Sequence, residues 1–252
     1  MSNVNLLTPM MRQYLDIKTQ YPDTVVLYRM GDFYETFNED AKIISKTLGI
    51  ALTKRGGENA TPLAGFPYHA LDAHLPKLLK TGFKVARCEQ TEDPKQAKGI
   101  VKREVIEIVT PGSTLNEKLL DSSQNNYICS IWLENEVIGL CVTDISTGEC
   151  LIGESSEKSL LTIILNYQPK EILVASKQSQ AIRLVLNQQY QGLISESETL
   201  FFDFQFAKDQ ILQHFNVSTL KGYGCEALNF GISATGAMLH YLKTNYKLNL
   251  AH

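Results

Sequence analysis

The chain has 252 residues, 44% hydrophobic and 20% charged, with a formal net charge of −3. That balance is globular, with room for one large domain or two ordinary ones, and it excludes disordered and fibrous classes. No apolar run approaches the roughly 20 residues that cross a bilayer. The opening MSNVNLLTPMM lacks a secretory signal, so no membrane and a cytoplasmic location are expected.

Thr8-Pro9 opens a first helix, with threonine as N-cap, and Met10, Tyr14 and Ile17 share its apolar face. VVLYRM follows as a strand and GDFYE as a turn. A second helix is predicted from about Phe33 to Leu48, with Phe37, Ala41, Ile44 and Leu48 on one face. IALTKR is a strand broken at Gly56-Gly57, and TPLAGFP is extended. Leu71, Leu75, Leu78 and Leu79 define a third helix, stopped at Gly82. FKVARCEQ and VKREVIEIVT are strands. The first part is therefore a mixed-sheet α/β domain, residues 1–115.

Polar, turn-rich residues 116–125 form a predicted linker, and a second domain occupies 126–252. YICSIWL, VIGLCVTDI and GECLIGE are joined by short turns as an antiparallel meander. A helix around Leu160, Leu161 and Ile164 follows, then the strand EILVA and a helix with Ile182, Val185 and Leu186. Two longer helices close the chain, one with Phe204, Ala207, Ile211 and Phe215 on a face, the other with Leu228, Ile232, Leu239 and Leu242. Three antiparallel strands followed by alternating helix and strand is the order of a ribonuclease-H-like sheet. The charge divides with the domains. Residues 1–115 hold 15 Lys/Arg against 13 Asp/Glu, and the remainder holds 9 against 14.

Five cysteines with no C-x-x-C pair suggest neither a disulfide framework nor zinc. All but Cys225 sit in strand-like runs, as small buried thiols would. The histidines at 69, 74, 214, 240 and 252 make no H-x-x-x-H pair, so no metal site is expected.

The stretch YRMGDFYETF asks for more than structure. Asp32-Phe33-Tyr34-Glu35 has the D-x-x-E form of a capping box, with Asp32 as N-cap and Glu35 reaching back. The same geometry also projects Phe33 from the surface beyond a glycine turn, where a phenyl ring can wedge between base steps. Unstacking costs a few kcal/mol per step, and ring-on-base stacking returns about 1–3 kcal/mol. The two nearly cancel in sound duplex, while at a mismatch the cost falls and the wedge wins. Glu35 would be repelled by phosphates, disfavouring ordinary duplex unless the disturbed base offers a donor or the acid is protonated. The two readings are compatible.

Residues 8–115 carry G-D-F-Y-E, T-K-R-G and A-G-F-P-Y-H, and resemble the N-terminal domain of the MutS DNA mismatch-repair family. The resemblance implies that Phe33 inserts at the mismatch and Glu35 hydrogen-bonds the mismatched base. Residues 126–245 resemble, less specifically, that family's ribonuclease-H-like connector domain. No G-x-x-x-x-G-K-[ST] phosphate loop occurs, so ATP and magnesium would belong to further domains of a longer parent, and this chain is expected to need no cofactor. The resemblance implies a homodimeric parent, partners in mismatched double-stranded DNA and in the parent's remaining domains, and a MutL-type partner meeting the connector.

Met30 and Leu63 could line the groove beside Phe33 by analogy with the family, or could simply be core. Lys54 and Arg55 could hold phosphate or be a solvated turn. Tyr68-His69 is expected to support the following helix, and Lys102-Arg103 has a weak claim to phosphate. Against a nuclease in the second domain, the first meander strand carries no acid, and Asp144 and Glu149 lie at or near a turn. A purely protein-binding role for the acidic second domain is the other alternative.

Overall fold

The computed structural model describes residues 8–56, 60–92, 99–114 and 125–246. The chain divides into two compact units, residues 1–110 and 111–252. Apart from Asn125, the predicted linker 116–125 lies outside the described residues, as does Gly57.

In the first unit, α1 (Pro9–Gln20) begins as expected, the Thr8 hydroxyl accepting from the Met11 N–H. β1 (Thr24–Met30) and β2 (Phe33–Phe37) follow, then α2 (Asn38–Leu48), β3 (Thr53–Arg55), β4 (Thr61–Pro67), α3 (Leu71–Lys80), β5 (Lys84–Gln90) and β6 (Arg103–Val109). The sheet runs β3-β4-β2-β1-β5-β6, antiparallel except for β1 beside β5.

The second helix therefore starts five residues later than the sequence suggests. Its core positions Ala41, Ile44 and Leu48 are buried as expected, but FYETF is a strand and the capping box does not form. Phe37 precedes α2 without a side-chain cap. The reason is period two. FYETF alternates its side chains across a sheet and pairs on both edges, with β1 and with β4. Two ladders of hydrogen bonds outweigh one cap.

Tyr14 of α1 meets Phe37 and Tyr28 edge-on, with ring centroids 4.8 and 5.8 Å apart. On the opposite sheet face Phe66 lies between Tyr34 and His74 of α3. Asp40, buried in the first turn of α2, accepts from Tyr14 Oη at 3.1 Å, Lys18 Nζ at 2.9 Å and the Val26 N–H at 3.0 Å. It ties α2, α1 and β1 together.

In the second unit, β7 (Ile128–Glu134), β8 (Val137–Asp144) and β9 (Glu149–Ser156) form the expected meander. Its first turn, Asn135-Glu136, has φ of +52° and +62°, the sign pattern of a type I′ hairpin. α4 (Leu160–Tyr167), β10 (Glu171–Ala175), α5 (Ser179–Leu186), β11 (Leu193–Ser197), α6 (Phe204–Phe215) and α7 (Asn229–Tyr246) complete the unit. The sheet order is β11-β10-β7-β8-β9, with β10 parallel to β7 and to β11. This is the ribonuclease-H-like arrangement, with β11 its fifth strand, which the sequence reading did not identify.

α4 and α5 cover one face through Leu160, Ile164, Ile182 and Leu186, while α7 covers the other. α7 is buried nearly all round rather than on the single stripe expected. Small residues permit this: a Cβ at Gly139 of β8 would sit 2.0 Å from the Phe230 carbonyl carbon, and one at Gly236 would sit 2.3 Å from Ala207 Cβ of α6. No helix among the described residues is long and apolar enough to cross a membrane.

Candidate nucleic-acid interface

β1 and β2 close a hairpin in which Met30 pairs with Phe33 across a two-residue loop, Gly31-Asp32. Gly31 has φ of +57° and Asp32 does not share the positive sign, the pattern of a type II′ turn, which calls for glycine first. Phe33 and Phe37 lie at opposite ends of β2. Phe37 is in the core, whereas Phe33 is 46% exposed. The back of the hairpin is braced by Arg29, whose guanidinium lies 3.7 Å from the Tyr68 ring centroid and whose Nε donates to the Gly31 carbonyl at 2.6 Å. The Tyr68 N–H donates to the Asp32 carbonyl at 2.9 Å. Arg103 Nε donates to the Arg29 carbonyl at 2.6 Å. The phenyl ring thus stands on a backbone held from behind.

Strand alternation puts Met30, Phe33, Glu35, Leu63 and Arg55 on one face, because Glu35 pairs with Tyr28 and Gly65, and Arg55 pairs with Thr61. Arg55 Nη1 donates to Glu35 Oε2 at 3.0 Å and lies 3.4 Å from Met30 Sδ. Burial pushes the Glu35 carboxyl above its ordinary value, and Arg55 opposes this only in part. The Glu35 side chain is 21% exposed and the Arg55 side chain 45%. An ion pair this close to water contributes about 0–1 kcal/mol, so either partner can exchange the other for a ligand at little cost. Gly65 makes room for the acid: a Cβ there would lie 2.7 Å from the Tyr34 carbonyl and 3.4 Å from Glu35 Cγ.

Residues 8–118 match the family model of MutS domain I, and residues 126–252 match that of MutS domain II. The chain belongs to the MutS family. It is 43% identical over 247 residues to the DNA mismatch repair protein MutS of Porphyromonas gingivalis, an alignment covering 97% of this chain and 28% of that protein. It is likewise 43% identical to the proteins of the same name from Dehalococcoides mccartyi (97% of this chain, 28% of that one) and Methanococcoides burtonii (98% and 29%). The chain spans less than a third of the length of these relatives.

Within this MutS domain I, the remaining candidates divide. Lys54 is exposed on β3 but alternates to the face away from Arg55 and Glu35. Met30 and Leu63 are partly buried, Leu63 packing against the α1 core. Arg103 is a correction. It is nearly buried, bonded to Gln13 and to the Val101 and Arg29 carbonyls, with its guanidinium 4.8 Å from the Tyr28 ring centroid, so it braces the sheet. Lys102 is exposed and paired with Glu104 at 2.7 Å. Tyr68 and His69 form a single 3-10 turn leading into α3. The sequence reading overlooked Arg29 and Gly65, and gave Tyr68 a role in supporting the following helix but none behind the hairpin. The signal was present: Gly-Asp between two alternating runs is a two-residue hairpin signature.

In the MutS domain II unit, Asp144 accepts from the Asn126 and Ser146 N–H groups and from Ser146 Oγ at 2.6–2.9 Å. These bonds outweigh burial and hold its carboxyl below the ordinary range. Glu149 accepts from Tyr127 Oη at 2.8 Å and Asn125 Nδ2 at 3.1 Å. Both acids organise turns. Among the described residues no three His, Cys, Asp or Glu side chains are placed to share a metal ion.

Proposed function

We propose that this chain supplies the mismatch-sensing part of a DNA mismatch-repair protein, with Phe33 as the wedge and Glu35 as the discriminating acid. The observation that carries the reading is the half-exposed phenyl ring on a braced hairpin, with a replaceable carboxylate two residues along the same face. A wedge that meets intact stacking gains little, and one that meets a weakly stacked pair gains its full contact. Glu35, whose carboxyl burial already holds above its ordinary value, either accepts a hydrogen bond from the disturbed base or, where nearby phosphates raise its pKa further, donates one as the neutral acid. Arg55, released from Glu35, is free to meet a phosphate, with Lys54 a more distant contact on the other face; Met30, paired with Phe33 across the hairpin, flanks the ring, whereas Leu63 sits opposite Phe37 at the far end of β2.

The domain division behind this reading is a mismatch-recognition domain at 1–115, a linker at 116–125 and a connector at 126–252. The longer parent would act as a cytoplasmic homodimer, with ATP and magnesium held by its other domains and a MutL-type partner meeting the connector. The chain itself would bind without catalysing. The test is binding to a duplex with one G·T mismatch and to the matched duplex at low salt, for the wild type and Phe33→Ala. A mismatch preference that disappears with the ring supports the wedge. A preference that survives Phe33→Ala defeats it.

A further inference from the structure

Four of the five cysteines lie on strands, but one departs from the expected burial: Cys150 on β9 is exposed, while Cys141 on β8 is buried. The two are diagonal neighbours on one sheet face, since Cys141 pairs with Ile152 and Cys150 with Thr143. Their Sγ atoms are 3.7 Å apart. Both line a cavity of about 330 Å³ shared with Cys225, Ile152, Met238 and Leu239. No function described above uses this pair.

We propose that Cys141 and Cys150 form a peroxide-responsive dithiol, with Cys150 as the attacking thiol and Cys141 as the resolving one. Access assigns the order, because only Cys150 is exposed to solvent. The hydrogen bond from Cys141 also holds Cys150 below its ordinary pKa, while that contact and burial hold Cys141 well above. A thiolate at Cys150 attacks one oxygen of a peroxide, forming an S–O bond and breaking the O–O bond. The departing oxygen takes up a proton and leaves as water or an alcohol. The sulfur of Cys141 then attacks Cys150 Sγ, the S–S bond forms, the S–O bond breaks, and the Cys141 proton leaves with the hydroxyl as water. Two thiols and one peroxide give one disulfide, one water and one water or alcohol. The sulfurs need close only from 3.7 Å to the roughly 2 Å of a disulfide. A cross-link drawn diagonally between strands, with one half on the edge strand β9, is of the labile and reducible kind.

The experiment treats the 252-residue chain with hydrogen peroxide, quenches in acid, alkylates free thiols and cleaves after glutamate. Cuts at Glu136, Glu149 and Glu154 separate Cys141, in 137–149, from Cys150, in 150–154. The expected product is these two peptides joined, with the loss of two hydrogens, and separated again by dithiothreitol. In Cys141→Ser a dimedone adduct should accumulate on Cys150, and Cys150→Ser should leave Cys141 unoxidised. The proposal is overturned if wild-type Cys150 remains a thiol, advances to sulfinic acid without joining Cys141, or joins Cys225 instead. The wild-type result decides even if a variant fails to fold.

Discussion

Glu35 and Glu171 are both carboxylates on sheet strands, one in each unit, and their surroundings are opposite. Glu171 has no exposed surface, and accepts from Ser195 Oγ, from Tyr241 Oη at 2.6 Å and from the Gly112 N–H at 3.4 Å. Glu35 is half-buried beside one exposed arginine and an exposed phenyl ring. A carboxylate surrounded by buried donors is fixed, because removing it strands every donor that faced it. One held by a single solvated partner is available, because water or a ligand can take that partner's place. Acids of the first kind, such as Glu171, hold their unit together, and an acid of the second kind leaves its partner exchangeable, as the role proposed for Glu35 requires.

The contrast breaks most visibly at Glu171. Glu171→Ala should destabilise the second unit by about 1–3 kcal/mol for each donor left unpaired, read as a lower urea midpoint. A change below about 1 kcal/mol would show that the network is ornamental and the contrast unsound. Phe33→Ala should do the reverse. It should leave the urea midpoint of the first unit unmoved and remove about 1–3 kcal/mol of mismatch preference, roughly 5-fold to 150-fold in relative affinity. A large fall in stability would place Phe33 with the core instead.

Gly65→Ala joins the two behaviours. Its methyl group would lie 2.7 Å from the Tyr34 carbonyl, so β4 must move away from β2 where Glu35 sits. An overpacked site of this kind costs about 1–3 kcal/mol, and mismatch preference should fall with stability because the face that carries Phe33 is displaced. Stability lost without any change in preference would show that the face tolerates the shift.

Most of the architecture was legible because its signals are local. The threonine-proline start of α1, the apolar faces of α2 and α3 and the three meander strands each follow from spacing within a dozen residues. The failures share a different cause. FYETF reads as a helix start until its pairing with β4, about 30 residues away, is known. LISES has no apolar run of its own and becomes β11 only beside β10. Arg103 looked like a surface cation because nothing near it in sequence announces the Arg29 carbonyl it serves. Phe33 and Glu35 could be picked out from ten residues, but Arg55 as the partner of Glu35 depends on a ladder running through β4.

The finest test concerns the charge on Glu35. Its folded-state pKa stands above 4.5 because burial outweighs the pull of Arg55. The folded protein therefore binds this proton more tightly than the unfolded chain does, and stability must fall as pH rises from 4.5 through the folded value, then level off. Glu35→Gln cannot titrate, so the wild type should lose stability relative to it across that window, by no more than about 1 kcal/mol for a group so near water. The same variant should bind matched duplex more tightly at neutral pH, since an amide does not repel phosphate, and its binding should depend less on pH. If the wild type instead gains stability over Glu35→Gln as pH rises, the pair with Arg55 outweighs burial. Glu35 would then be an anchor like Glu171, and the hairpin would discriminate with its ring alone.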